Sequence, residues 1–293
     1  MDKKADISII TVNYNGFKDT CELIDTIPID NESVEVIVVD NGSSRDEAAL
    51  LKQRYPTIKT IRLSQNMGFA GGNNAGIKAS SGKYLFLINN DTILPKHNFD
   101  SLIDRLSSSA SIGMVCPKIC FAFDDNKIQF AGYTPLSKIT VRNHAIGFGE
   151  TDHGQHDTAH PTPYAHGAAM MVKREAIEKA GLMPECYFLY YEELDWSVRL
   201  RDAGYDIWYE PSFTIYHKES RSTGGTDSPL KTFYISRNRL LFAKRNIKGI
   251  IKPATYCYLI IIVSLKNIIL HIFRNRIDLA KATVSGIVSF LKS

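Results

Sequence analysis

Phe-Leu-Ile-Asn-Asn-Asp-Thr at 86–92 is an apolar run that stops abruptly in two amides and a carboxylate. A carboxylate at the carboxyl end of a buried strand lies where open α/β sheets bind their ligands. There it can hold a hard divalent cation against a nucleoside diphosphate. Upstream, Ile7–Val12 and Val34–Val39 are β-branched apolar runs that end in polar residues, with a helical stretch over Lys18–Thr26 between them. Strand–helix–strand is the unit of a parallel sheet. Ala48–Tyr55 continues as helix, Ile58–Leu63 as strand, Asn73–Ser80 as helix after a glycine-rich turn, and Tyr84–Ile88 as strand. This alternation over the first hundred residues or so predicts a doubly wound α/β sheet.

Downstream the pattern loosens. Phe99–Leu106 and Arg174–Ala180 are expected to be helices, the latter closed by Gly181, while Ile112–Phe123 and Ala168–Val172 are expected to be strands. Residues 143–166, rich in His, Gly, Pro and Thr, are expected to form a long functional loop. Glu192–Ala203 predicts a stronger helix, and Ile207–Tyr209 and Thr214–Tyr216 predict short strands. No internal repeat or low-complexity tract interrupts the chain.

With 293 residues and 44% hydrophobic content the chain can bury a full core. Its net charge of +4 is unevenly spread. Residues 231–293 hold twelve Lys and Arg against the single acid Asp278, a balance of +11, so the first 230 residues carry −7. Such a basic tail points to an anionic surface. Within it Ala254–Leu265 and Ile268–Phe273 are apolar runs too short to span a bilayer singly. Joined, they form a span interrupted by Lys266. Ile277, Ala280, Val284, Ile287, Val288 and Leu291 then form a helical stripe. Cations beside amphipathic helices predict an in-plane membrane anchor, with packing on the protein's own core or in a homodimer as the rival. Nucleic-acid binding fits the apolar run poorly. Met1–Asp6 is charged and Ile7–Val12 too short for a secretory signal. Five scattered cysteines (Cys21, Cys116, Cys120, Cys186, Cys257) read as reduced thiols of a cytosolic protein, the Cys116/Cys120 spacing being a weak metal signal. His144, His153, His156, His160 and His166 match no fixed zinc pattern.

Several motifs carry chemistry. Asp40 in Val-Val-Asp-Asn-Gly-Ser suits a nucleobase or ribose, or a helix cap or turn. Asn66-Met-Gly-Phe-Ala-Gly-Gly-Asn-Asn-Ala-Gly76 allows close backbone approach to a ligand, and Asn66, Asn73 and Asn74 add amides for sugar or base edges. It lacks the Lys-Ser/Thr of a P-loop. Asp91 stands alone, so a cation there needs phosphate oxygens and a second protein ligand. Glu192, Glu193 and Asp195 crowd the first turn of one helix, where mutual repulsion should raise one pKa and make a better general base. Glu192 and Asp195 share a face; Glu193 points elsewhere. His217, at a strand end after the acid cluster, is a candidate second metal ligand, and Arg237 or Arg221 could neutralise a departing diphosphate.

These motifs, with Thr-Val-Asn-Tyr-Asn-Gly at 11–16 and His-Gly-Ala-Ala-Met at 166–170, resemble the family 2 glycosyltransferases with the GT-A fold. The nearest likeness is the rhamnosyltransferase-like branch of bacterial surface-polysaccharide synthesis, over residues 6–245. The resemblance implies a Rossmann-like nucleotide-binding sheet over residues 1–98, an acceptor-binding and catalytic half over 99–248, and membrane-associating helices over 249–293. It implies an inverting transferase with a nucleoside-diphosphate sugar donor, dTDP-rhamnose first, and a lipid-linked glycan acceptor. The expected place is the cytoplasmic face of the bacterial inner membrane. Asp40 would bind the base, with Thr11, Asn13, Asn66, Asn74, Asn90 and Arg237 around the donor. Asp91 would be the last acid of the family's DxD motif, from which Asn89 departs, and His217 would complete the shell of Mg2+ or Mn2+. Glu193 would be the catalytic base, in place of the usual Asp, and Asp195 would orient the acceptor or the helix. A sugar-phosphate nucleotidylyltransferase is the rival enzyme, but Thr11–Gly16 lacks its basic glycine loop. A non-catalytic sugar-nucleotide-binding module would not need the acid cluster.

Overall fold

The computed structural model describes residues 5–95, 98–124, 126–218 and 228–293. The first half alternates as expected: β1 (Ile7–Asn13), α1 (Phe17–Ile24), β2 (Val34–Asp40), α2 (Glu47–Arg54), β3 (Lys59–Arg62), α3 (Gly68–Ala79) and β4 (Tyr84–Ile88). There follow β5 (Thr92–Ile93), α4 (Asp100–Ser107), β6 (Ile112–Phe121), β7 (Ile128–Phe130), β8 (His160–Pro161), β9 (Ala169–Lys173) and α5 (Arg174–Ala180). The chain closes with α6 (Glu192–Asp202), β10 (Asp206–His217), α7 (Pro229–Asn246), α8 (Ile251–Cys257), a π-helical stretch Tyr258–Ser264, α9 (Leu265–Phe273) and α10 (Ile277–Leu291).

The described strands form one sheet in the order β3-β2-β1-β4-β9-β6-β10-β5, with β7 beside β6 and β8 beside β10. β1, β2, β3 and β4 are mutually parallel, and helices cover both faces, so Ile9, Ile10, Ile37, Val38, Val39 and Leu85 are fully buried. β9 enters antiparallel, pairing Ile88 with Ala169, which brings the segment before it to the carboxyl end of β4. β10 runs parallel to β6 and pairs His217 with Thr92 on β5. The topology therefore collects Asp91, His166 and His217 at one sheet edge.

Two expectations change in detail. The glycine-rich stretch is helix from Gly68 onward, and two of its glycines face the sheet: a Cβ at Gly76 would lie 2.3 Å from Ile10 Cγ2, and one at Gly72 2.7 Å from Val12 Cγ1. Close helix–sheet packing demands these two, whereas Gly68, with a φ of 74°, abuts the Phe188 carbonyl. The two short strands expected near residue 210 are one strand, β10, with a register shift between Glu210 and Thr214.

A second core lies under the C-terminal helices, where Tyr187, Leu194, Leu240, Phe242, Leu259 and Phe290 meet. α10 packs along α7 closely enough that a Cβ on Gly286 would come 2.6 Å from the carbonyl of Phe233. The tail is thus partly integrated into the protein, as the rival reading held. Its other face is bare: Ile261, Ile262, Leu265 and Ile272 are each more than half exposed, and Phe273 is 84% exposed. On α10 the expected stripe residues Ile277, Val284, Val288 and Leu291 are exposed, whereas Ala280 is buried.

Candidate active site

A cleft of about 380 Å³ opens at the carboxyl ends of β1, β2 and β4, closed on the far side by the start of α6. Its lining includes Asn41, Asn66, Asn90 and Asp91 from the first half, and His166, Glu192, Glu193, His217 and Lys231 from the second.

The period-two geometry of a strand decides which motif residues reach it. Val12 and Tyr14 line the cleft, so Thr11 and Asn13, one residue out of step, point away. Thr11 is fully buried and its Oγ1 has no partner. Asn13 donates to Glu47 Oε2 at 2.9 Å and accepts from Thr20 Oγ1 at 2.8 Å. Asp40 is likewise fully buried, accepting from the backbone N–H of Ser43 at 3.1 Å and of Ala48 at 3.3 Å. This is the turn role weighed for it in the sequence; the neighbouring Asn41 lines the cleft instead. Asn41 Nδ2 donates to Asn66 Oδ1 at 3.0 Å, which staples the end of β2 to the start of α3.

Other expected donor contacts are displaced as well. Asn74 is buried with its amide engaged by Met183 and Glu185, at 2.9 Å and 2.8 Å. Arg237 Nη1 donates to the Cys186 carbonyl at 3.0 Å, outside the cleft, and Lys231, one and a half helical turns earlier on α7, lines the cleft. Arg221 lies outside the described residues. Asn90 does line the cleft, its amide held by Thr20 Oγ1 at 3.0 Å.

Asp91 and His217 meet directly, Oδ1 to Nε2 at 3.1 Å. His217 Nδ1 sits 2.8 Å from Gln129 Oε1, so an acceptor oxygen faces each ring nitrogen. The carboxylate of Asp91 and the imidazole of His217 thus offer an oxygen and a nitrogen to the same point of the cleft. An imidazole and a carboxylate, with Asn89 Nδ2 3.5 Å from Nε2, suit a divalent ion that takes its remaining ligands from phosphate. No group of three His, Cys, Asp or Glu with metal-binding proximity occurs among the described residues.

His166, in the same cleft, was singled out by sequence only within a motif. Its Nδ1 accepts from the Ala168 N–H at 3.1 Å, its ring stacks on Tyr133, and burial pushes its pKa down to about 3, with His217 adding to the shift. It is therefore a neutral ring at any physiological pH.

The acids of α6 divide differently from expectation. Asp195 is 1% exposed and accepts from Tyr187 Oη at 2.5 Å, Arg245 Nε at 2.5 Å and Asn246 Nδ2 at 3.3 Å. It clamps α6 to α7 and does not line the cleft. Glu192 and Glu193 both do, despite the helical face that Glu192 shares with Asp195 in sequence. Burial pushes Glu193 up to about 7, against the pull of the N–H groups of Glu193, Leu194 and Tyr191. Burial first, and the Glu193 charge second, raise Glu192 well above the usual carboxylate range.

The backbone before these acids is strained. Phe188, Tyr190 and Tyr191 have φ of 68°, 69° and 78°, left-handed values that cost on the order of 1–3 kcal/mol each for bulky residues. Asn238 on α7 holds the segment: its Nδ2 donates toward the carbonyls of Tyr187, Leu189 and Tyr190 at 2.9, 2.7 and 3.0 Å. The Phe188 carbonyl accepts from the Phe69 N–H at 2.8 Å. Asn238 stands between Arg237 and Arg239, and only its full burial separates it from a surface amide.

The geometry has counterparts among known proteins. Residues 8–181 match the family described as Glycosyl transferase family 2, a stretch that takes in Asn89–Thr92 and stops short of Glu192 and His217. A low-salt glycan biosynthesis hexosyltransferase of Haloferax volcanii is 25% identical over 96% of this chain and 89% of its own length. An N-acetylglucosaminyl-diphospho-decaprenol L-rhamnosyltransferase of Mycobacterium tuberculosis is 26% identical over 65% of this chain and 68% of its own. Among solved structures, a mannosyltransferase from Pyrobaculum calidifontis in complex with GDP-Man and Mn2+ superposes with a TM-score of 0.57 at 14% identity, over 99% of this chain and 88% of that one. GalNAc-T7 with UDP, GalNAc and Mn2+ gives 0.62 at 13% identity, over 88% and 54%. Strand–helix alternation, mixed sheet and edge cleft together with these likenesses lead to one conclusion: the chain is a GT-A-fold glycosyltransferase and belongs to glycosyl transferase family 2.

Proposed function

We propose that this glycosyltransferase inverts the anomeric centre of a nucleoside-diphosphate sugar as it transfers the sugar to a hydroxyl of a lipid-linked glycan. The observation that carries the proposal is the shared cleft: Glu193 faces the same space of about 380 Å³ as the Asp91–His217 pair. Residues 1–98 supply most of the donor side and 99–248 the acceptor side. Asn41, Asn66 and Tyr14 at the strand ends are placed to hold the nucleoside.

Glu193 accepts the proton of the acceptor hydroxyl as that oxygen attacks the anomeric carbon. The bond from that carbon to the diphosphate oxygen breaks on the opposite face, so a single displacement inverts the centre. A pKa near 7 suits the task, since the group is ionised above neutrality and still basic enough to take a proton. Lys231 contributes a positive charge beside the departing diphosphate. Asp91 and His217 would hold Mg2+ or Mn2+, which when bound offsets negative charge on the diphosphate oxygens.

The donor is proposed as dTDP-rhamnose, supported by the mycobacterial relative whose name is that of an L-rhamnosyltransferase acting on a diphospho-decaprenol lipid. UDP-hexoses and UDP-galactofuranose are the alternatives. A panel of sugar nucleotides with membrane lipid extract, scored by nucleoside diphosphate release, decides among them. Transfer should stop on chelation and return with Mn2+. Glu193→Gln should lower turnover about a thousandfold while leaving nucleotide binding intact; near-normal turnover refutes the assignment.

The acceptor's lipid is consistent with the tail. Among the described residues Ile251–Phe273 is long and apolar enough to cross a membrane; an 18-residue stretch of it has a mean hydropathy of 1.9, with only 11% of that stretch buried. Lys266 in its middle, and Lys and Arg on either side, favour lying at an anionic surface, which we place at the cytoplasmic face of the membrane. Deleting residues 250–293 would also strip Leu259 and Phe290 from the second core. The cleaner test replaces exposed side chains: Ile262→Glu with Phe273→Glu should release the chain from anionic vesicles without lowering its unfolding temperature. Unchanged co-sedimentation would count against membrane association.

A further inference from the structure

The proposed displacement uses one of the two glutamates that open α6. The other, Glu192, is 3% exposed, lines the cleft, and has an Oε2 without a hydrogen-bond partner. That oxygen has given up its hydration without a hydrogen bond in return, and the N–H groups of Glu192 and Tyr190, which favour the charged form, are outweighed by burial. The protonated acid avoids that penalty and has an O–H to donate. A second negative charge beside Glu193 is disfavoured as well.

We propose that Glu192 stands in the cleft as a neutral carboxylic acid and donates its O–H to an oxygen of the bound sugar substrate. The inference rests on the transferase reading above and assigns the two neighbouring glutamates opposite states. Glu193 ionises and takes a proton; Glu192 keeps its proton and gives a hydrogen bond. Burial and the neighbouring charge both raise the proton affinity of Glu192. The other ionisable groups around the cleft reinforce the division. His166 is neutral, Asp91 is turned to His217, and Lys231 is the described cation that lines the cleft. Tyr133, whose phenol is raised by burial, is a neutral neighbour at working pH. The strained segment held by Asn238 fixes where the first turn of α6 begins, and with it the aim of both carboxyls.

Infrared difference spectra of the full chain, wild type against Glu192→Gln at about pH 8, test the protonation state directly. A protonated-carboxyl C=O stretch that shifts in D2O should be present in the wild type and missing from the variant. Its absence from the wild type overturns the proposal, whether or not the chain transfers sugar. With the donor that the panel identifies, Glu192→Gln keeps a neutral donor of the same shape and should lose about threefold in kcat/KM. Glu192→Ala should lose about tenfold or more. The acid limb of the pH–rate profile, set by Glu193, should persist in Glu192→Gln. Equal losses in the two variants, or an acid limb that vanishes in Glu192→Gln, make Glu192 an ionising group and sink the proposal. If the wild type transfers sugar from no donor, the transferase reading fails and the substrate contact fails with it, an outcome the infrared band tells apart.

Discussion

The two sides of the cleft treat their polar side chains in opposite ways. On the side of β1, β2 and α3, Asn13, Asp40 and Asn74 are buried and saturated by partners from the chain itself. On the side of α6, Glu192 lines the cleft and its Oε2 has no partner. A buried polar group with its bonds satisfied shapes the scaffold; one left wanting marks where a ligand's atoms belong only if it also lines the cleft, which the unpartnered Thr11 Oγ1 does not. Polar residues at strand ends are therefore weak guides to binding until their partners are counted. Asp195 shows the distinction within one helix turn, being the saturated neighbour of Glu192, whose Oε2 has no partner.

The contrast breaks if Asp195 proves catalytic. Asp195→Ala leaves the fully buried Tyr187 hydroxyl without its acceptor and frees Arg245. Stability should fall by about 2–4 kcal/mol, read as a lower midpoint in urea. Nucleotide affinity of the folded fraction should be retained. A folded Asp195→Ala variant that lost only turnover would move this acid to the ligand side of the comparison.

Glu193 sharpens the contrast through pH. Its folded pKa of about 7 lies above the ordinary carboxylate value, so the unfolded chain ionises first as pH rises. Between about pH 4.5 and 7 the unfolded state therefore gains stability relative to the folded one, and the penalty stays in place above that window. Glu193→Gln removes it. At about pH 8 the variant should be more stable than wild type by up to about 3 kcal/mol, and the difference should vanish by about pH 4. Differential scanning calorimetry across that range checks it. A residue that stabilises when neutralised and yet abolishes transfer is held in place against its own preference, which is the stability–function trade-off of an active site.

Much of this was legible in the chain. Ile7–Val12, Val34–Val39 and Tyr84–Ile88 read as strands because both faces are covered, leaving unbroken apolar runs. Asp91, Glu193 and His217 stood out as candidates because each sits next to the start or end of a regular element. Parity was not legible: whether Thr11 or Val12, Asp40 or Asn41 turns to the cleft depends on which face α1, α2 and α3 take, and a slip of one residue reverses every assignment. Nor was the role of the glycines in α3, since a close helix–sheet contact and a ligand loop ask for the same residue. Asn238 was invisible because its partners are backbone carbonyls some fifty positions away, and no side-chain pattern records them.

The smallest expected effect distinguishes two cations on one helix. Sequence favoured Arg237 as the diphosphate partner, but its guanidinium is tied to the Cys186 carbonyl, whereas Lys231 lines the cleft beside the Tyr190 ring, 5.9 Å from its centroid. A half-buried charge such as Lys231 facing a diphosphate is still partly screened by solvent, so its contribution is modest. Lys231→Met should raise the donor KM by about fivefold, an effect that shrinks as salt rises. Arg237→Met should change the donor KM by less than about twofold. Steady-state kinetics at two ionic strengths separates them. Were Arg237→Met to carry the larger, salt-sensitive rise, the guanidinium bound to the Cys186 carbonyl would be the one that meets the ligand, and the two cations would exchange places in the comparison.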